Sequence, residues 1–316
     1  MSNFANSYLK YVNHLEQINE AAREDPERMV REIEDSYHGQ LQMAADKVYR
    51  NRSHYRIIML SGPSSSGKTT TAHLLSDYLN EMGIDTVMIS LDNFYRGEKQ
   101  APVLENGQHD YESVDALNLE VLEDCLTEFA KTNHCDVPIF DFNTRTPSGE
   151  TRHVELKEGG VAIVEGIHAL NPRICGRLPQ DTLFKLYVSV KQHIKDSDGI
   201  VISAENVRFV RRLVRDHSFR NTAPERTFEM WPVVMAGENK YIRPYSMGSD
   251  MTINSIHMYE PCVLLHDAIP LLNEIREGRP KIDRLIENLK RFEPLPQDLV
   301  PKNSILREFI GGGLYE

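Results

Sequence analysis

The sequence predicts an α/β fold built on a doubly wound, mostly parallel β-sheet. Three observations support this class. A glycine-rich loop stands between a short apolar run and a helical apolar pattern within residues 56–82. Further apolar runs at 86–91, 161–164 and 183–190 have the composition of buried strands. Helical patterns alternate with these runs, which is typical of a parallel sheet covered by helices on both faces.

The glycine-rich loop, GPSSSGKTT from Gly62 to Thr70, matches the pattern G-x-x-x-x-G-K-T of a phosphate-binding P-loop. The backbone N–H groups of such a loop hold phosphate oxygens, and the dipole of the following helix favours negative charge there. Lys68 is expected to reach the β- and γ-phosphates, and the Thr69 hydroxyl to bind Mg²⁺. The sequence therefore predicts a P-loop NTPase. The expected nucleotide-binding residues are Gly62, Ser64, Ser65, Ser66, Gly67, Lys68, Thr69 and Thr70.

Two acidic residues stand where predicted strands end. Asp92 follows the run 86–91, and ligands of open α/β sheets bind at the carboxyl edge of the strands. Phosphoryl transfer to a hydroxyl needs a group that accepts the hydroxyl proton, and Asp92 is the predicted base; a helix-cap aspartate is the alternative. Glu165 ends the run 161–164 as the acid of a Walker-B strand does, and it is the predicted second Mg²⁺ ligand.

An arginine-rich stretch supplies local positive charge in a chain whose formal net charge is −11. Residues 205–226 contain six arginines and three acidic residues, so the formal charge of this stretch is +3. Arginine forks suit bidentate recognition of phosphate and stay charged at any working pH. We predict a helical lid over about 205–226 that contacts phosphate groups. A solvated helix face paired with surface acids is the alternative.

The stretch 135–149 combines aromatic and turn-forming residues. Phe140 and Phe142 flank Asp141 in a short extended segment, and 143–149 is predicted to be a turn. The aromatic residues belong either to the core or to a ligand platform.

Composition narrows the function classes. Apolar residues at 40% and charged residues at 26% are typical of a soluble globular protein, and no apolar run approaches the about 18 residues of a membrane-spanning helix. The first residues lack a signal peptide's pattern. The acidic net charge argues against nucleic-acid and acidic-membrane partners. Cys125, Cys135, Cys175 and Cys262 form no C-x-x-C pair, so we expect reduced thiols in a cytoplasmic protein. A homo-oligomer is compatible with base rates.

The predicted organisation has three parts. Residues 1–50 form a helical extension, either a packing element or a dimer surface, with a helical face from Tyr8 and an N-cap and N1 proline at Asp25-Pro26. Residues 51–292 form the nucleotide-binding domain, with a last strand at 251–256 and helices at 261–276 and 280–292. Residues 293–316 form a tail packed on that domain.

Several segments together resemble the uridine kinase and phosphoribulokinase family of P-loop kinases, over roughly residues 40–313. The closest likeness is to a bacterial uridine-kinase-like subfamily that often carries an N-terminal module related to that of threonyl-tRNA synthetase. The first predicted strand begins at Arg56, so we expect no such module here. The segments are GPSSSGKTT at 62–70, SLDNFY at 90–95, EGIHALNP at 165–172, RRLVRD at 211–216, NS at 254–255 with YE at 259–260, and the tail SILREFIG at 304–311.

The resemblance implies ATP- or GTP-dependent phosphorylation of a nucleoside 5′-hydroxyl. By this resemblance, Asp92 is the expected base, and Tyr111-Glu112 is the expected aromatic–acid pair that binds the nucleoside. The expected lid arginines are Arg212, Arg215 and Arg220. The expected catalytic residues are Lys68, Asp92, Arg212 and Arg215. Arg220 is expected to bind the nucleotide, and Thr69 and Glu165 are expected to bind Mg²⁺. The expected substrate-binding residues are Tyr95, Tyr111, Glu112, Phe140, Arg145 and Arg212.

Two positions depart from the uridine kinase pattern. Phe140 stands where a tyrosine is usual, and Arg145 stands where a base-reading histidine is usual. Each lost polar contact is worth about 1–3 kcal/mol, which argues against uridine as the acceptor. Arg145 is a candidate for reading another base, a phosphate or a carboxylate. A sugar-phosphate or other non-nucleoside kinase, and a non-catalytic nucleotide sensor, are the alternative functions.

Overall fold

The computed structural model describes residues 12–97, 100–104, 107, 109–141 and 144–315. The strands in these ranges are β1 (Ile57–Ser61), β2 (Thr86–Ser90), β3 (His134–Asp141), β4 (Thr146–Glu155), β5 (Val161–Glu165), β6 (Leu183–Ser189), β7 (Ile194–Lys195), β8 (Ile200–Ile202) and β9 (Met251–Asn254). The helices are α1 (Leu15–Glu24), α2 (Pro26–Arg50), α3 (Lys68–Glu81), α4 (Leu119–Thr132), α5 (Pro172–Cys175), α6 (Ala204–Phe219), α7 (Pro224–Tyr241), α8 (Arg243–Ser246), α9 (Glu260–Glu274), α10 (Pro280–Leu289) and α11 (Arg307–Ile310). None of these helices combines the length and the apolarity needed to span a bilayer.

Five of the described strands form a central parallel sheet in the order β2-β5-β1-β6-β9. This order, with helical crossovers on both sides, is that of a doubly wound α/β fold. Strands β1 and β5 are buried at every position because layers of helices and loops cover both faces. Their near-continuous apolar sequences follow from that double burial. The predicted fold class is confirmed.

The two faces of β1 feed two different clusters of buried residues. Ile58 and Leu60 belong to a cluster that includes Leu75 of α3. Ile57 and Met59 belong to a cluster that includes Leu122 of α4. This alternation has the period of two that a strand imposes. A third cluster gathers residues of α1, α6, α9 and α10.

The N-terminal helices pack onto this core. The Asp25 side chain accepts a hydrogen bond of 3.0 Å from the backbone N–H of Arg28, and Pro26 opens α2, so the predicted N-cap and N1 proline are confirmed. Tyr37 and Leu41 of α2 are fully buried in the cluster that holds Ile58. The face predicted to begin at Tyr8 lies partly outside the described residues. The domain boundaries near residues 50 and 292 stay predictions.

The hairpin of β3 and β4 differs from the sequence prediction. The predicted turn over 143–149 is wrong for 146–149, because these residues begin β4, which pairs antiparallel with β3. Nine of the ten β4 positions are exposed, Val154 being the buried one. The strand therefore carries no apolar alternation from which it could be predicted. Phe142 and Asn143 lie outside the described residues.

Candidate active site

Three neighbouring strands bring the predicted site residues to one edge of the sheet. The P-loop follows β1, Glu165 ends β5, and Asp92 lies two residues after the end of β2. The register pairs Glu165 with Leu60 on one side and with Ser90 on the other. Because parallel strands end at the same edge, the loop, Glu165 and Asp92 lie side by side.

The P-loop backbone has the close geometry that its glycines permit. A Cβ on Gly62 would stand 2.1 Å from the carbonyl oxygen of Val188, so no other residue fits there. Gly67 has φ of 85°, in the left-handed region that glycine favours, directly before α3. The hydroxyls of Ser65 and Ser66 are buried and have no hydrogen-bond partner among the described residues. Buried polar atoms are normally satisfied, so this cradle fits a bound phosphate.

Lys68 and Asp92 lie within electrostatic reach of each other beside this cradle. The Lys68 ammonium donates a 3.1 Å hydrogen bond to the carbonyl oxygen of Pro63. Burial lowers the pKa of Lys68, and the charges of Glu165 and Asp92 oppose that shift. Burial raises the pKa of Asp92, and Lys68 is the largest opposing charge. Ser90, whose hydroxyl accepts the Asp92 N–H at 3.4 Å, caps the turn Leu91–Phe94, so Asp92 itself is not the cap.

Glu165 and Thr69 are the residues that could hold Mg²⁺. Glu165 is 5% exposed and accepts a 2.6 Å hydrogen bond from the Ser90 hydroxyl. Burial, and then the neighbouring charge of Asp92, raise the pKa of Glu165 to about 7. Within the described ranges, no three His, Cys, Asp or Glu side chains are grouped to hold a metal. One carboxylate, one hydroxyl and phosphate oxygens form a usual Mg²⁺ donor set, so these residues fit an ion bound together with a nucleotide.

Helix α6 supports the P-loop with two buried arginines. Arg208 is 3% exposed and pairs with Glu238 at 2.7 Å, while Arg211 is fully buried and pairs with Glu260 at 2.6 Å. Each also donates to a P-loop carbonyl oxygen: Arg208 at 3.1 Å and Arg211 at 3.4 Å. These arginines hold the backbone of the loop, and their carboxylate partners come from α7 and α9.

The other α6 arginines share one carboxylate. The buried Asp216 lies 3.1 Å from Arg212, 2.7 Å from Arg215 and 3.8 Å from Arg220. Arg212 also donates a 2.8 Å hydrogen bond to the Ser64 hydroxyl, which ties this group to the P-loop. The sequence motif RRLVRD contains Asp216, but the spacing of the motif alone does not indicate that Asp216 pairs with three arginines.

Two of the aromatic residues predicted for the substrate, Tyr95 and Phe140, meet near Asp92. The Tyr95 hydroxyl donates to the carbonyl oxygen of Tyr111 at 3.3 Å, and its ring centre lies 6.0 Å from that of Phe140. Asn93 accepts a 3.2 Å hydrogen bond from the Phe140 N–H and so holds β3 to the turn that carries Asp92. Asn93 was not among the predicted site residues, although it follows Asp92 directly.

Glu112 lies within electrostatic reach of Arg212. Burial raises the pKa of Glu112 to about 7, and the charges of Arg212 and Lys68 oppose the shift. A Cβ on Gly237 of α7 would stand 2.3 Å from the Cβ of Glu112, so a glycine there lets the two segments meet. No sequence signal marks Gly237, because a glycine inside a helix does not reveal which residue packs on it.

Arg145 occupies the turn of the β3–β4 hairpin. It is exposed and has φ of 56°, in the left-handed region that non-glycine residues rarely adopt. Its carbonyl oxygen lies 3.6 Å from the place that a Cβ on Gly97 would take. The hairpin turn therefore packs near the chain segment that follows Asp92 and Tyr95.

Comparisons with known proteins identify the family of this chain. A family model described as Phosphoribulokinase / Uridine kinase family matches residues 57–260, more than half of the chain. A uridine kinase of Lactobacillus helveticus is 30% identical over 199 residues, or 62% of this chain and 85% of the relative. One of Bacillus pumilus is 30% identical over 203 residues, or 64% and 87%. The solved structure of phosphoribulokinase from Rhodobacter spheroides gives a TM-score of 0.42 at 16% identity, covering 64% of this chain and 70% of that chain. The chain belongs to the phosphoribulokinase / uridine kinase family of P-loop kinases.

Proposed function

We propose that this P-loop kinase transfers a phosphoryl group from ATP or GTP, with Mg²⁺, to a hydroxyl of a small molecule, and that the acceptor is a nucleoside with a free 5′-hydroxyl. The observation that carries the proposal is the position of Asp92. Its carboxylate lies at the carboxyl edge of the sheet, within electrostatic reach of Lys68 and Arg215. A base and a phosphate cradle thus share one edge.

The proposed chemistry relies on positioning and charge neutralisation. Asp92 orients the acceptor hydroxyl and accepts its proton, and its raised pKa makes it a stronger base than an exposed aspartate. Lys68, Arg212 and Arg215 offset the charge on the transferred group, and Arg220 contacts the nucleotide. Mg²⁺, when bound through Thr69 and Glu165, neutralises phosphate charge and helps to orient the phosphates.

The acceptor site is proposed to lie between Asp92 and the aromatic group. Tyr95 and Phe140 supply neighbouring ring surfaces, the exposed Tyr111 is a further candidate for stacking, and Glu112 supplies a hydrogen-bonding carboxyl group. Ring stacking and ribose hydroxyl recognition are the interactions that a nucleoside offers to such a set. Arg145, at the hairpin turn, is the proposed selector of the base or of an anionic group on the acceptor.

The uridine kinases among the relatives support a nucleoside acceptor. The proposed cellular compartment rests on other features. We propose a cytoplasmic protein without nucleic-acid or membrane partners. The four cysteines are free and buried, which suits a reducing compartment. A homo-oligomer is proposed only because symmetric homo-oligomers are common among soluble proteins.

A panel of nucleosides and sugar phosphates, assayed by ADP release from the full chain, tests the proposal. The Asp92→Asn variant should keep nucleotide binding and lose at least about 10²-fold in kcat, the range of general-base catalysis. Near-normal turnover in this variant removes Asp92 as the base. Lys68→Ala should lose both ADP affinity and activity. Turnover on sugar phosphates alone would assign a non-nucleoside acceptor, and tight nucleotide binding without any turnover would support the sensor alternative.

A further inference from the structure

The C-terminal segment, residues 304–310, lies directly against the P-loop. A Cβ on Gly67 would stand 3.1 Å from Cδ1 of Ile305, so the Ile305 side chain covers the start of α3. The ring of Phe309 lies 5.2 Å below the guanidinium of Arg211, which itself donates to the loop. The segment thus contacts the end of the loop directly through Ile305 and indirectly through Arg211.

Glu308 places a carboxylate at the phosphate cradle. Its Oε2 accepts a 3.2 Å hydrogen bond from the hydroxyl of Thr70, which is 6% exposed. The charge of Glu308 also acts on two groups of the predicted site, since it opposes the lowering of the pKa of Lys68 and adds to the raising of the pKa of Glu165. Glu308 is therefore within electrostatic reach of the groups that a donor nucleotide would contact.

The surrounding contacts hold this carboxylate in a defined place. Arg307 donates hydrogen bonds to the carbonyl oxygens of Gln297, Val300 and Gly311 at 3.1, 2.5 and 3.1 Å. Leu306 and Phe309 are fully buried in the cluster that contains α6. A side chain that extends from such a fixed backbone stays close to Thr70 and to the phosphate cradle.

We propose that Glu308 is an affinity-determining residue of the donor site: its carboxylate holds the Thr70 hydroxyl and is displaced when a nucleoside di- or triphosphate binds. This rests on the proposed function, because it requires the P-loop to bind a nucleotide. Phosphate and carboxylate are both anions and both accept from a hydroxyl, so they compete for Thr70 and repel each other. Glu308 thereby weakens donor and ADP binding, which favours release of the product nucleotide.

Calorimetric titration of Mg–ADP into the full chain, without acceptor, tests this proposal. Glu308→Gln keeps the size of the side chain and removes its charge, and it should lower the Kd of ADP about tenfold at low salt. The gain should shrink as salt screens the charges. The matched control is Glu81→Gln, the same change at the exposed opposite end of α3, which should leave the Kd within about twofold.

Two outcomes overturn the proposal. If wild type binds ADP and Glu308→Gln binds it equally or more weakly, Glu308 does not compete with the nucleotide, and the proposed function stands. If wild type binds no ADP, the donor site itself is wrong and both proposals fail. Glu308→Ala serves as a second charge-removing variant, and thermal unfolding without nucleotide checks that each variant is folded.

Discussion

The buried pair of Arg211 and Glu260 makes a sharp prediction about stability. Arg211 is fully buried and Glu260 is 1% exposed; their two hydrogen bonds measure 2.6 and 2.9 Å. Arg211 donates a further 2.6 Å hydrogen bond to the carbonyl oxygen of Ser255. Removing one partner of such a pair leaves the other charge buried without compensation, which costs about 3–5 kcal/mol. Arg211→Met should therefore lose about that much of the free energy of unfolding.

Equilibrium urea unfolding of a double-mutant cycle measures the cost. Glu260→Gln should also be destabilising, and the double variant Arg211→Met/Glu260→Gln should recover at least about 1 kcal/mol of the sum, because it leaves no unpaired charge. The control is Arg226→Met, an exposed arginine 3.4 Å from Glu229, for which we expect less than about 1 kcal/mol. A loss below about 1 kcal/mol in Arg211→Met, or strict additivity in the cycle, would refute the reasoning.

Two further predictions concern the acceptor side. Burial raises the pKa of Glu112 from 4.5 to about 7, so the folded state holds a proton that the unfolded state releases between these values, and stability falls as pH rises through that window. The difference in the free energy of unfolding between Glu112→Gln and wild type should therefore shift by about 1–3 kcal/mol in favour of the variant between pH 5 and pH 8, measured by urea unfolding. An equal difference at both pH values contradicts this. Gly237→Ala would place a Cβ 2.3 Å from that of Glu112, so Glu112 must shift. We expect a higher KM for the acceptor and an unchanged Kd for ADP in titration. A higher Kd for ADP with an unchanged acceptor KM would show that α7 acts on the donor side instead.

The sequence predicts the central sheet well because its strands are buried on both faces. Runs such as IIML in β1 and VAIV in β5 have an apolar sequence and end at the predicted site residues. The β4 strand escapes prediction for the opposite reason, since its side chains are mostly solvated and no burial constrains them. Sequence patterns thus reveal elements whose burial selects their residues, and they miss elements that hydrogen bonding alone maintains.

The same limit applies to the site. Lys68, Asp92 and Glu165 could be predicted because each lies at or soon after the end of a recognisable strand, and the strand order then brings them together. Ser90 and Glu308 could not be assigned, since their partners Glu165 and Thr70 are distant in sequence. A residue type indicates which interactions are available, but only the fold determines which partner takes them.

The arginines of α6 show how far this matters for function. Helical spacing places Arg208, Arg211, Arg212 and Arg215 near one face and suggests that their charges add, to +3 over the stretch. In the fold, Arg208 pairs with Glu238, which also pairs with Arg243, and Arg211 pairs with Glu260; both acids lie outside that stretch. Arg212, Arg215 and Arg220 share the single charge of Asp216, so this group of four ion-paired residues carries +2, and Arg212 ties it to Ser64. The candidates for phosphate contact are therefore the arginines grouped around Asp216, because the other two already have carboxylate partners and hold the loop backbone.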